Sequence, residues 1–234
     1  MAGLLGLALA ALACRSAAPG PAAQPAANAP VAPGPWGLVA SDLASQRLYR
    51  VQVQRRGDDA SLRVVLRLAA VGRFELTAAD ALGRKLWALT VDDGRGRWVA
   101  GGGARACRFD SGRALRFTDF DWGLPASHLA AALAGRLPEP PTDSNEAESI
   151  AFVDGAGRSW SALRDGRGPL RWKLALGGGG ELVWERRDRG GELTADGGEI
   201  RVRWSEVARE PLAGEGPHLA ADDREPECDD ADLS

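Results

Sequence analysis

Histidine and cysteine are scarce in this chain of 234 residues, with two and three copies respectively. That leaves too few soft ligands for a multi-ligand zinc or iron–sulfur site, so no metal and no cofactor is expected. Neither His128 nor His218 accompanies a serine nucleophile motif, because no Gly-x-Ser-x-Gly occurs. His128 is expected on a helix surface and His218 in the C-terminal tail. The carboxylates are scattered and mark no acid–base pair, so an enzyme is not expected. Glycine runs at 101–103 and 177–180 lack the Gly-Lys-Ser/Thr of a phosphate loop and read as hairpin turns. Lysine, tyrosine and methionine are nearly missing as well, and abundant Arg and Ala reflect coding bias more than function. What is present is ordinary: 44% apolar and 26% charged residues exclude a fully disordered chain. Most of the eight Trp sit in short runs that look like strands.

The uncharged apolar run from Met1 to Ala13 is too short to cross a bilayer as a helix, which takes roughly 20 residues. It has the character of a secretory signal, expected to occupy residues 1–13. Leu12-Ala13-Cys14 resembles the lipobox of bacterial lipoproteins. That resemblance implies removal of the signal, acylation of Cys14 and firm anchoring, since two or more acyl chains hold where one binds marginally. Arg15 stands where an inner-membrane retention signal would place Asp, which implies the periplasmic face of the outer membrane. An ordinary secretory signal with an incidental Cys is the alternative. Residues 14–35 are rich in Pro and Ala, bury no core and read as the tether.

From residue 48 onward, period-2 alternation recurs between turn signals. Leu62, Val64, Leu66 and Leu68 share one face of a strand with Arg63 and Arg67 on the other, and 170–174 and 200–204 repeat the design. Further strands are expected at 49–54, 74–78, 86–91, 97–100, 105–109, 150–153, 158–163 and 182–187. Asp-Gly and Gly-Gly steps between them supply hairpin turns. Links this short leave no room for helical crossovers, so the sheet is antiparallel. About 11 strands are too many for a flat sheet, which should curl or close. The stretch 123–135 is helical in composition, with Ser127 as a candidate cap and Gly135 as a stop. Built largely of Ala, such a helix would plug the concave face loosely.

Leu82-Gly83 between the strands at 74–78 and 86–91 resembles the Leu-Gly hairpin of the LolB family, the outer-membrane receptors for lipoproteins. Gly123-Leu124-Pro125 through Leu129 to Gly135-Arg136-Leu137-Pro138 is similar to that family's Gly-x-Pro…Leu…Gly-x-Pro block. Residues 192–204 look like its closing hairpin. These blocks keep their order across 36–205. Ala81 and Ala132 depart from the Pro and the aromatic that relatives often carry, and the N-terminal helix is faint at 38–46. The resemblance implies a mainly β, LolA/LolB-like fold: a curled antiparallel sheet forming an incomplete, half-open barrel with a helix over an apolar cavity. The folded domain is expected at 36–212.

What the resemblance implies for function follows from that cavity. Acyl chains of a lipoprotein delivered by a LolA-like periplasmic carrier would enter it, at about 0.8 kcal/mol for each methylene removed from water. Candidate lining residues are Val64, Leu66, Leu68, Phe74, Leu76, Leu129, Leu133, Trp172, Leu174, Val202 and Trp204; filling a core is the alternative role. Leu82, with Gly83 beside it, would protrude and insert into the membrane to assist release, or else fold back as a turn plug. The partners implied are acylated lipoprotein cargo, the carrier and outer-membrane lipid; no nucleic acid is expected, and the chain should be a monomer. A lipid- or acyl-peptide-binding lipoprotein without insertion activity is the alternative. Residues 213–234 read as an acidic, solvated tail, since 215–234 hold eight carboxylates against Arg224. Cys107 and Cys228 could pair in an oxidising compartment, although their spacing does not decide it.

Overall fold

Alternation of apolar and charged side chains produces fourteen strands among the described residues of a computed structural model. Those residues are 42–55, 57–70, 72–103, 105–112, 114–116, 123–136, 149–153, 158–165, 168–176, 180–219 and 225–228. Cys14, the tether and the Pro-rich stretch after residue 136 lie outside them. The strands are β1 (Ser45–Arg55), β2 (Asp58–Ala70), β3 (Arg73–Ala79), β4 (Lys85–Asp92), β5 (Arg95–Ala100), β6 (Ala106–Asp110), β7 (Ala114–Arg116), β8 (Gly123–Pro125), β9 (Ser149–Val153), β10 (Ser159–Asp165), β11 (Gly168–Ala175), β12 (Glu181–Arg187), β13 (Gly190–Ala195) and β14 (Ile200–Pro211). One α-helix, α1 (Ala126–Leu133), is found among the described residues.

Twelve strands form one antiparallel sheet in the order β6-β5-β4-β3-β2-β1-β14-β13-β12-β11-β10-β9, and β7 pairs with β8 apart from it. Two hairpin meanders, β1–β6 and β9–β14, are thus joined along β1 and β14, which pair from Ser45↔Pro211 to Arg55↔Ile200. Both meanders contribute to one apolar cluster. A sheet of this width reaches that arrangement by curling over its own inner face. The curl stops short of closure, with β6 and β9 at the two ends of the strand order.

Two expectations need correction at the helix. Ser127 is not its cap: Pro125 holds the N-cap position without a side-chain bond, and 123–125 is a strand rather than the first turn. Pro125 has an extended backbone, φ −54° and ψ 146°, and pairing with β7 outweighs local helix propensity. Gly135 does end α1, with the Gly135 amide donating to the Ala132 carbonyl and the Arg136 amide to that of Ala131, a double closure of the last turn. Of the faint N-terminal helix at 38–46, residues 38–41 lie outside the described residues, and its last two residues are strand. Ser45 and Gln46 already belong to β1, because that segment pairs with both β2 and β14.

β13 and β14 form the closing hairpin expected at 192–204, and β13 begins two residues earlier, at Gly190-Gly191. The glycines are required by neighbours. A Cβ on Gly190 would lie 1.9 Å from the Trp204 carbonyl oxygen, and one on Gly191 would lie 2.5 Å from the Trp204 ring. His128 is not on the surface. It is fully buried, its ring edge-on to Trp160 at 5.4 Å. Trp160 continues into a row across neighbouring strands: Trp160–Trp172 at 5.1 Å and Trp172–Trp184 at 6.0 Å.

Part of the acidic tail is fastened rather than solvated. Cys107 and Cys228 form a disulfide, and Arg108 pairs with Glu227 in a parallel bridge. Glu225 takes hydrogen bonds from Arg97, and those bonds hold its carboxyl below the usual range. The tail's carboxylates find arginines on β5 and β6 because the disulfide brings them there. Residues 220–224 and 229–234 of the tail lie outside the described residues.

Candidate functional site

Strands β1–β4, β13 and β14 present alternate side chains to the inner face, and α1 lies across them. Between sheet and helix is an apolar cavity of about 390 Å³. β1 contributes Val51 and Val53, β2 contributes Leu62 and Val64, β3 Leu76, and β4 Trp87. Leu193 comes from β13, and Ile200, Val202 and Trp204 come from β14. The helix adds Leu129, Ala132 and Leu133, and Arg55 is the one charged side chain on the wall. The space exists because the helix is made of small residues: Ala126, Ala130, Ala131 and Ala132 are its buried apolar positions, too short to fill the curl of the sheet. A volume near the lower end of the roughly 300–1,000 Å³ of ligand pockets suits a slender apolar ligand.

Six of the eleven residues expected to line a cavity do so: Val64, Leu76, Leu129, Leu133, Val202 and Trp204. The other five, Leu66, Leu68, Phe74, Trp172 and Leu174, share the inner face but are buried core outside this lining. Alternation assigns a face; where along the strand packing gives way to space depends on the helix. Val51, Val53, Arg55, Leu62, Trp87, Ala132, Leu193 and Ile200 complete the wall, and the alternation of β1 marks the first two. A larger hollow of about 600 Å³ opens on the opposite face, where Arg50, Gln52, Arg187, Glu192, Arg203 and Ser205 surround the far side of Trp204 and Gly191. Its polar lining makes it unsuited to acyl chains.

Leu82 sits at the tip of the β3–β4 hairpin and is 81% exposed, the most exposed large apolar side chain among the described residues. It does not fold back as a plug. Asp80 braces the turn beneath it: Oδ1 accepts the amides of Leu82 and Arg84, each at 2.9 Å, and Oδ2 accepts Arg84 Nε at 2.6 Å. The Asp80 carbonyl accepts the Gly83 amide at 3.0 Å. Gly83 has φ +81°, a conformation that costs an L side chain energy, so Leu-Gly at the tip is a backbone requirement as well as an apolar display. Antiparallel register places Ala79 opposite Arg63 and Lys85, at the end of the sheet where the cavity residues of β2 and β4 lie. Arg84, Lys85 and the part-exposed Leu86 flank the tip.

Hydrogen bonds from the Arg84 amide and guanidinium hold the Asp80 carboxyl below its ordinary range. A depressed folded-state pKa means that the bracing is in place at neutral pH and fades only as pH falls through that depressed value. Protection of the Leu82 amide from hydrogen exchange, corrected for intrinsic rates, should therefore persist near neutrality and collapse in acid. Asp80→Asn should lower it near neutrality and make little further difference in acid. Equal protection in wild type and variant near neutrality would refute the bracing role.

Among the described residues, no group of three or more His, Cys, Asp or Glu side chains is placed to hold a metal ion. No helix among them is long and apolar enough to cross a membrane. No family model matches the chain, and no curated protein matches it. Among solved structures, it is similar to a domain from Vibrio parahaemolyticus described as a "putative outer membrane lipoprotein-sorting protein domain". The identity is 9%, the TM-score 0.45, and the match covers 73% of this chain and 86% of that one.

Proposed function

We propose that this chain is a lipoprotein of the bacterial envelope that receives acylated cargo in its cavity and helps place it in the outer membrane. The observation that carries this reading is the pairing of an apolar cavity with Leu82, the most exposed leucine among the described residues, braced at the same end of the sheet. Transfer of this kind makes no bond. It is a difference in burial free energy, and at about 0.8 kcal/mol per methylene an acyl chain leaves one apolar site only for another. The walls of β1, β2 and β14 with α1 would supply the first site and lipid the second, with Leu82 entering the bilayer surface to connect them. Anchoring through acylated Cys14 would keep the domain beside the membrane, and a LolA-like carrier would deliver the cargo. No step calls for a nucleophile, so the chain is proposed to act without catalysis.

The modest cavity volume favours a second reading, a protein that binds one lipid or acyl-peptide and inserts nothing. One experiment separates the two. Acylated lipoprotein loaded on its periplasmic carrier is mixed with a soluble form beginning after Cys14, then with vesicles. The receptor reading expects cargo to leave the carrier and appear in the vesicle fraction. If no acylated protein moves, that reading fails; cargo that binds and stays bound marks the passive binder.

A further inference from the structure

The outer face of the sheet carries guanidinium groups that its carboxylates do not balance. Glu192 on β13 is nearly buried, its side chain 8% exposed, and three arginines converge on it. Oε2 accepts Arg187 Nη2 and Arg203 Nε at 2.9 Å each, and Arg201 Nε lies 3.2 Å from Oε1. Burial pushes the Glu192 carboxyl up, but the bonds from Arg203 and Arg187 outweigh it and hold the group below the usual range. One carboxylate thus faces three guanidinium groups, each with N–H donors left over. Glu185 offsets one of them, 3.3 Å from Arg187, and is shared with Arg171.

Arg50 on β1 adds a fourth positive charge beside this group. It is exposed and has no ion-pair partner among the described residues. In the β1–β2 register it stands directly opposite Arg63, which has none either. Like charges placed opposite each other across two strands are destabilising, so the pair costs the fold something that no nearby carboxylate returns. With Gln52, Arg187, Arg203 and Ser205, Arg50 lines the open hollow of about 600 Å³ on this face.

We propose that this hollow binds a phosphate group. Arg50, Arg187 and Arg203 would supply forked, charge-assisted hydrogen bonds, for which guanidinium geometry suits phosphate oxygens. Gln52 and Ser205 offer neutral donors, and Glu192 holds two of the three guanidinium groups in place. The site shares Trp204 with the wall of the acyl cavity, but its arginines stand on the other face of the sheet. The phosphate could belong to a phospholipid headgroup or be free in solution, and the chemistry is the same.

Calorimetric titration of the full chain with two soluble probes tests the site and separates the sources. One probe is inorganic phosphate; the other is glycerophosphoglycerol, a deacylated lipid headgroup with no chains to enter the cavity. Saturable binding of either probe is expected, weakened about tenfold in Arg50→Gln and in Arg203→Gln, the loss of one hydrogen bond to a charged group. Preference for glycerophosphoglycerol identifies a headgroup site, and preference for phosphate a free-anion site. Arg50→Gln removes the like-charge opposition, so its thermal midpoint should equal or exceed that of wild type and report an intact fold. Binding of neither probe, or affinity unchanged in both variants, overturns the proposal.

Discussion

Replacing Asp42 with Ala is expected to lower the free energy of unfolding by about 3–5 kcal/mol, the range for removing one partner of a buried ion pair. Asp42 is 2% exposed and lies three residues before β1, where it meets three arginines from three parts of the chain. Arg47 Nη2 donates to Oδ1 at 2.6 Å, Arg136 Nε donates to Oδ2 at 2.8 Å, and Arg209 Nη2 lies 3.6 Å from Oδ1. Arg47 is itself 3% exposed. Burial works against its charge, but the Tyr49 and Asp42 groups beside it outweigh that and hold its pKa above the ordinary value. Without the carboxylate, Arg47 keeps Glu206 at 3.8 Å and a long bond from its Nε to Ser45 Oγ at 3.5 Å. A buried guanidinium would then have lost its close partner, and desolvation would no longer be offset.

Position makes this residue matter beyond the pair. Arg136 directly follows the turn that ends α1, so Asp42 ties the helix over the cavity to the seam of β1 and β14. Urea denaturation of Asp42→Ala and Asp42→Asn against wild type measures the effect. Asn keeps the volume and drops the charge, so it should lose most of what Ala loses. A loss below about 1 kcal/mol in both would mean the network contributes no more than exposed pairs do.

The second large effect is expected at Leu82. Leu82→Glu should leave the thermal midpoint unchanged, because the side chain is exposed and its turn is braced through backbone amides and Asp80. Transfer of acylated cargo into vesicles should fall by roughly tenfold or more. Burying a leucine side chain in an apolar medium contributes about 1.5–3 kcal/mol, and each 1.4 kcal/mol is a factor of ten. Cargo bound in the cavity should be retained, since Leu82 is not part of its wall. Leu82→Ala should fall between the two. Transfer at the wild-type rate in Leu82→Glu would remove the tip from the mechanism, and loss of cargo binding would relocate its role to the cavity.

Much of this is legible in the sequence. Alternation in β2, β11 and β14 names the inward side chains, and Asp-Gly steps locate hairpins, because both follow from local backbone geometry. Leu82 stood out because a leucine among Asp80, Arg84 and Lys85 lacks an evident core partner. The hairpin of β13 and β14 is legible, but its start at Gly190-Gly191 is not; only the Trp204 backbone and ring pressing on those residues show why they are glycines. His128 was misplaced for a similar reason, since nothing in a short Ala-rich helix tells which side meets Trp160.

The chain's own order of residues determined the strand period, the antiparallel hairpins, the charge separation between body and tail, and the apolar tip on the β3–β4 turn. These are near-neighbour properties, set within a few residues by sterics and solvation. Tertiary structure decided the rest. It joined β1 to β14, converged three arginines on Asp42 and three on Glu192, and brought Cys228 to Cys107 across 121 residues. It also divided the inward face into packed core and open cavity. Those outcomes depend on which distant segments the curl brings together and how much volume an alanine helix leaves unfilled, and no local pattern encodes either.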